Sequence, residues 1–373
     1  MRPAWLQCPA LLPECLPRTP KGTQDACLHP GDTQDACSHT SMPTLCLTTP
    51  GTRASLTSER LRIEFPTPDT PHRDIPLSDI ERVVVADHCS LSMPAIAALL
   101  RREIPIIITA HGDRILGVCQ CPAPHSAARL AQYKSSLDPQ LALALAISFV
   151  EAKITNSRRV LQRLAANRSD DLVADTLRSL AHSADTCLRA ECLDSLRGYE
   201  GAAAAAYFSA FGRFFPDSAP FERRSRRPPH NAANALLSYT YTLLTAEAET
   251  QLHAIGLDPA IGFLHEPADR RPSLALDLIE PFRAPVADAM TLDLLSHGTL
   301  KPESHFEKRD GGIYLNTDGK KRFFVAYERR LEREFTSANQ GRRSTLRQEI
   351  HHTALALKHA ILDGEPLQPF LMH

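Results

Sequence analysis

The chain has 373 residues, with 42 Lys and Arg against 43 Asp and Glu. The length is a prior for more than one domain, and 43% hydrophobic residues exclude wholesale disorder. A formal net charge of −1 neither supports nor excludes a nucleic-acid partner, because a local basic surface can hide inside a neutral total.

Residues 1–50 are rich in Pro, Thr and Cys and hold five of the ten cysteines: Cys8, Cys15, Cys27, Cys37 and Cys46. Thr-Gln-Asp-Ala-Cys occurs at 23–27 and again at 33–37, and no longer period continues from it. Such a composition buries little apolar surface, so a low-order tail is expected. A secreted disulfide scaffold would be shorter and evenly stapled, so the body reads as cytoplasmic with free thiols. Cys119, Cys121, Cys187 and Cys192 lack partners at ligand spacing and read as structural. Residues 1–20 are interrupted by five prolines and lack a secretory apolar core. The apolar stretch Leu141–Val150 is too short to span a membrane, so no membrane association is expected.

From Gly51 the pattern alternates. Thr52–Leu56 and Arg60–Phe65 predict a hairpin, Val83–Val85 a buried strand, and Ser92 a cap for a helix over Pro94–Arg102. Ile104–Thr109 and Arg114–Val118, turned by Gly112-Asp113, predict a second hairpin. After Gln132 the period is helical, with Asp138-Pro139 as a helix start. The remainder reads as helices, apart from a small hairpin pairing Gly311–Leu315 with Arg322–Val325 through Asp318-Gly319. The expected fold class is α+β: a tail over 1–50, a β-rich domain over 51–130, and a larger, mostly α-helical domain over 131–373.

Three segments carry chemistry. Leu196-Arg197-Gly198-Tyr199-Glu200-Gly201 precedes five alanines and Tyr207-Phe208, and places Glu200 near an expected helix start. Gly262-Phe263-Leu264-His265 offers an imidazole, and Asp277 and Glu280 fall on one face of a helix over Ser273–Arg283. Taken singly each has an ordinary reading: a first-turn glutamate, a hydrogen-bonded core histidine, and acids paired with Arg271 or Arg283. Together, two or three carboxylates and one imidazole suit Mg²⁺ or Mn²⁺, whereas zinc would want a second His or Cys at ligand spacing. Arg223, Arg224, Arg226 and Arg227 form a basic cluster before Pro228-Pro229. Residues 301–347 carry twelve Lys and Arg against seven acids, a further candidate surface for phosphates.

In order and separation these blocks resemble the CRISPR-associated integrase family, the endonuclease of spacer acquisition. The likeness spans roughly residues 52–335. It is carried by Gly198–Gly201 with Tyr207-Phe208, Arg227-Pro228-Pro229 with Asn231 and Asn234, Gly262–His265 and Ser273–Arg283. Ile75-Pro76-Leu77, Val83–Val85 and Ile104–Ile108 also fit its N-terminal domain.

The resemblance implies an N-terminal β domain that mediates homodimerisation and a helical catalytic domain. It implies divalent-metal ligands at Glu200, His265 and Glu280, with Asp277 a further acid of the same helix; which of Asp277 and Glu280 ligates directly stays open. It implies DNA contacts from Arg223, Arg224, Arg226, Arg227 and Asn234. It also implies metal-dependent transesterification, in which the 3′-hydroxyl of a captured double-stranded DNA fragment attacks a phosphodiester at the CRISPR repeat. The implied partner is the small ferredoxin-like subunit of the adaptation complex. A standalone DNase sharing the metal site, or a non-catalytic DNA-binding scaffold, would use the same residue types. Cys8-Pro9 through Cys15-Leu16-Pro17 resembles the last cysteines of the CRISPR-associated iron–sulfur nuclease, which is sometimes fused ahead of this integrase, and so suggests a fusion remnant.

Overall fold

The structure, a computed structural model, describes residues 44–67, 70–110, 115–120, 126–166 and 170–372. The Cys8–Cys37 portion of the tail, including the resemblance to the iron–sulfur nuclease, lies outside these residues, as does the Gly112-Asp113 turn.

The N-terminal part holds two four-stranded sheets. One has the order β4 (Arg73–Pro76), β3 (Arg60–Glu64), β2 (Arg53–Thr57), β6 (Ser90–Leu91). The other has the order β1 (Thr44–Leu47), β5 (Arg82–Ala86), β7 (Ile106–Thr109), β8 (Ile115–Cys119). Both expected hairpins form, as β2–β3 and β7–β8. β1 extends the domain upstream of the expected boundary at residue 51. Leu45 and Leu47 are buried and β1 pairs in parallel with β5, so Cys46 belongs to a strand and not to a tail. Ser92 caps α1 (Met93–Arg101) by accepting from the Ala95 amide, with Pro94 in the first turn where its missing N–H costs nothing.

β5 explains how this part joins the rest. All five of its residues are buried. Val83 and Val85 face the N-terminal core with Leu61, Leu99 and Ile106, while Val84 and Ile107 face the core of the helical part. Alternation along a strand thus places one sheet between two cores.

The helical part contains α2 (Ser126–Leu137), α3 (Pro139–Ala165), α4 (Asp171–Cys187), α5 (Leu193–Gly212) and α6 (Ala232–Ile255). α3 starts as read, with Asp138 accepting from the amides of Gln140 and Leu141 and Pro139 in the first position. Its buried stripe of Leu145, Phe149, Ile154 and Val160 packs against α4 and α5. The chain continues through α7 (Ser273–Ile279), α8 (Ala289–Ser296) and α9 (Pro302–His305). It ends with α10 (Thr317–Glu332) and α11 (Leu346–Asp363). The α+β class holds: strands first, then a mostly helical body.

Two local expectations are corrected. The small hairpin pairs β10 (Gly312–Leu315) with the upstream β9 (Phe306–Arg309), while Arg322–Val325 lies inside α10. Asn316 caps α10 by accepting from the Gly319 amide, so the Asp318-Gly319 pair begins a helix instead of a turn. α5 begins at Leu193, where Cys192 and Ser195 form the cap, so Glu200 lies in mid-helix and Gly198 and Gly201 are helical. No helix among the described residues is long and apolar enough to cross a membrane.

Candidate active site

Glu200, His265 and Glu280 come from three separate elements and line one cavity of about 210 Å³. Glu200 projects from α5. Glu280 opens a 3-10 turn, Glu280–Phe282, that follows α7 and passes into a π-helical turn, Arg283–Asp288. Pro281 and Pro285 lack the N–H that an α-helix would need there, and the altered winding keeps Glu280, Arg283 and Asp288 all on the cavity wall.

His265 sits on the loop before α7, and that loop is held from two sides. Asp277, fully buried, accepts from the backbone amides of Phe263 (2.6 Å), Leu264 (3.0 Å) and His265 (3.0 Å). Its Oδ1 also lies 2.6 Å from His265 Nδ1. A carboxylate only accepts, so the ring proton sits on Nδ1, and in the neutral imidazole the Nε2 lone pair is left free. Nε2 lies 3.8 Å from Glu280 Oε1. From the other side Arg197, one turn before Glu200 on α5, donates twice to the Leu264 carbonyl, at 3.0 and 3.2 Å. Gly262 makes the approach possible: a Cβ there would stand 2.7 Å from the His265 carbonyl oxygen and 2.9 Å from Asp277 Oδ2.

Lys153, on α3, reaches both glutamates. Its ammonium hydrogen-bonds Glu200 and lies 2.7 Å from Glu280 Oε2. Arg283 Nε is 3.0 Å from the same oxygen. Both are ion-pair distances, but neither has hydrogen-bond geometry, so Glu280 Oε2 is a buried acceptor without a hydrogen bond. Burial alone would push the Glu280 carboxyl up; Arg283, Lys153 and His265 more than reverse this and hold it at about 2. Behind them Tyr241 donates to Asp288 (2.6 Å) beneath the Arg283 guanidinium, and burial pushes Asp288 up to about 6 despite that hydrogen bond.

Among the described residues no three His, Cys, Asp or Glu side chains converge closely enough to grip a metal ion as they stand. The donor set nevertheless suits a hard divalent cation. Two carboxylates and an imidazole with a fixed tautomer border one cavity, the more buried carboxylate has an oxygen held by ion pairs alone, and a cation already bridges the pair.

The basic cluster divides. Arg223, Arg226 and Arg227 are exposed, and Arg226 lines the cavity with Arg224. Arg224 is committed inward, to Asn234 Oδ1 (2.8 Å) and Ser238. Asn234 is buried; it accepts from the Ser225 amide and donates to the Arg223 carbonyl, so its amide shapes the arginine loop from within. In residues 301–347, Arg347 is buried among Glu328, Glu332 and Glu247. Lys153 and Arg197 were not legible as site residues. A lone Lys or Arg on a helix has no distinctive spacing, although Lys153 interrupts a buried run of Val150, Ala152 and Ile154.

The family model of the CRISPR associated protein Cas1 matches residues 45–329. The chain belongs to the Cas1 family. It is 36% identical over 376 residues to a Cas4/Cas1 exonuclease–endonuclease fusion of Rhodospirillum rubrum, covering 97% of this chain and 63% of the fusion. A second such fusion, from Geobacter sulfurreducens, is covered to 48% of its length, so this Cas1 chain spans roughly half to two thirds of those relatives. The family match begins at residue 45, and the R. rubrum alignment, covering 97% of this chain, also takes in most of the segment before it. An endonuclease Cas1 of Moorella thermoacetica is 32% identical over 89% of this chain and 99% of its own. Among solved structures, a casposase bound to an integration product matches with a TM-score of 0.76 and 25% identity, over 88% of this chain and 93% of that one. A Cas1 of Thermotoga maritima shares the fold, with a TM-score of 0.73 and 24% identity over 89% of this chain and all of that one.

Proposed function

We propose that this Cas1 chain is a DNA integrase of CRISPR adaptation, joining the 3′-hydroxyl of a captured duplex fragment to a phosphodiester at the repeat. One observation carries the reading: Glu200, His265 and Glu280 face the same cavity as the exposed Arg226, so a seat for a cation adjoins a seat for a phosphate. Glu200, Glu280 and His265 Nε2 would hold Mg²⁺ or Mn²⁺. When bound, such an ion polarises the phosphodiester and lowers the pKa of the attacking hydroxyl. Asp277 keeps the His265 proton on Nδ1 and, with Arg197, holds the ring over the cavity. Arg226 and the exposed Arg223 and Arg227 would bind the DNA backbone. Asp277 is then a positioning residue, and Asn234 acts through the loop it braces.

We also propose a homodimer formed through the N-terminal sheets and working with a Cas2-like ferredoxin-fold subunit. A Cas6-RT-Cas1–Cas2 complex is similar to this chain at 25% identity and a TM-score of 0.74, which supports that partnership. The test is half-site integration with the protein, the partner subunit, labelled donor and repeat DNA. His265→Ala abolishes joining while DNA binding persists. If labelled donor never joins the repeat while generic or branched duplexes are cut, the integrase reading fails and a standalone DNase replaces it. DNA binding without any metal-dependent strand chemistry would leave a non-catalytic scaffold.

A further inference from the structure

Lys153 is the side chain that reaches both candidate ligands at once. Its neighbours on α3, Val150, Ala152 and Ile154, are buried, and its own side chain is only 17% exposed. An ammonium in such a place is costly unless carboxylates compensate it, and the two that do are Glu200 and Glu280. These glutamates lie 80 positions apart in the chain and share no element. A single cation between them therefore marks a point that both carboxylates can serve, and a divalent ion would need little more than the approach of His265 Nε2.

The second cation on Glu280 is placed differently. Arg283 is three residues from Glu280 on the same winding, stacks over Tyr241 with its guanidinium carbon 4.6 Å from the ring centre, and has no ion pair with Glu200. Its guanidinium is held by that stacking and by its fixed place on the turn, although its Nε makes no hydrogen bond. Lys153 has a flexible four-carbon stem and a hydrogen bond to Glu200, and its contact with Glu280 Oε2 lacks hydrogen-bond geometry. Of the two cations it is the one that can leave.

We propose that Lys153 is a built-in counter-cation, holding Glu200 and Glu280 together when no divalent ion is present and yielding them when one enters. Ion binding is then an exchange of one cation for another, which keeps two carboxylates from repelling each other in the empty site and weakens the apparent affinity for the ion. The inference rests on the metal-site reading above.

The test is Mn²⁺ binding by calorimetry on the full chain, with Lys153→Met and Arg283→Gln beside the native protein. Removing a competing charge at ion-pair distance tightens Mn²⁺ binding of Lys153→Met by about tenfold or more, and Arg283→Gln changes it less. Lys153→Met also melts at a lower temperature than the native chain without metal, and recovers more on adding Mn²⁺. If Lys153→Met folds poorly, the native protein answers instead: Mg²⁺ speeds acetylation of Lys153, read by peptide mass spectrometry, because the ammonium is released. Unchanged affinity in Lys153→Met, equal tightening in Arg283→Gln, or acetylation indifferent to Mg²⁺ overturns the proposal. If the native chain binds Mn²⁺ and Glu200→Gln loses it while Lys153→Met is unchanged, only the exchange falls. If none of the proteins binds Mn²⁺, the metal-site reading falls with it.

Discussion

The charge cluster around Glu280 and the one around Glu247 both bury a glutamate between cationic side chains, yet their surroundings differ. Glu247, on α6, is fully buried and pairs with Arg82 of β5 and with Arg347 of α11, each with a side chain only 9% exposed. Arg347 in turn binds Glu328 and Glu332 of α10, so this cluster ties the N-terminal sheet to the last helices. Around Glu280 the partners Lys153, Glu200 and His265 are each about a fifth exposed and open onto the cavity. At Glu247 the charges are sealed, while Glu328 and Glu332 at the rim of that cluster are 19% and 40% exposed; sealed charges can only hold elements together. An open cluster can trade a partner for an incoming ion or phosphate, because water and solute reach its charges.

The largest expected effect breaks the sealed cluster. Glu247→Ala leaves two arginines buried without their shared carboxylate and lowers stability by about 3–5 kcal/mol in urea unfolding. Glu200→Gln, in the open cluster, costs less than about 2 kcal/mol, since Lys153 keeps Glu280. Equal losses would erase the distinction between the clusters. Next comes Arg197→Ala, which frees the Leu264 carbonyl and the His265 loop. Strand transfer falls by about 10- to 100-fold with the unfolding midpoint nearly unchanged, the pattern for a residue that orients a ligand. A matching fall in stability would assign Arg197 to the fold alone.

A smaller effect separates the arginines from their brace. Arg226→Ala or Arg223→Ala each reduces the salt slope of DNA binding by about one. Asn234→Ala lowers the melting temperature instead, because the Ser225 amide and the Arg223 carbonyl lose their partner. A further effect lies two residues from Glu247. Burial pushes the Glu249 carboxyl up to about 7, with no cation to oppose it. Its protonated form is favoured in the fold, so that contribution is complete below the ordinary carboxylate value of 4.5 and is lost as pH rises through about 7. Glu249 therefore contributes a fall in melting temperature between about pH 5 and 8, beside that of Asp288, which burial pushes up to about 6. In Glu249→Gln the profile over that range is flatter, and an identical slope would remove Glu249 as its source.

Much of the N-terminal domain was legible because its signals are local. Alternation marked β2 and β3, a valine run marked β5, and Ser92 and Asp138 announced helix starts through side chains that cap the next amides. β1 was not legible, since Thr44–Leu47 is too short to stand out from a Pro- and Thr-rich segment and becomes a strand only by pairing with β5. The hairpin partner of Gly312–Leu315 was misread for a related reason: Arg322–Val325 is apolar enough for a strand, but the Asn316 cap and burial of Phe323 and Phe324 against the core make it helix.

By itself the sequence determined the family and three residues of types suited to a divalent cation, because these sit in short blocks whose order is distinctive. It also determined that Asp277 and Glu280 stand three apart. Only the tertiary structure decided how those two acids divide their work, with Asp277 turned to three loop amides and Glu280 to the cavity. It alone brought in Lys153 from 47 residues before Glu200 and closed Arg197 onto a carbonyl 67 residues away. Charge pairing across packed helices depends on where the helices are placed, and spacing along the chain carries no record of that.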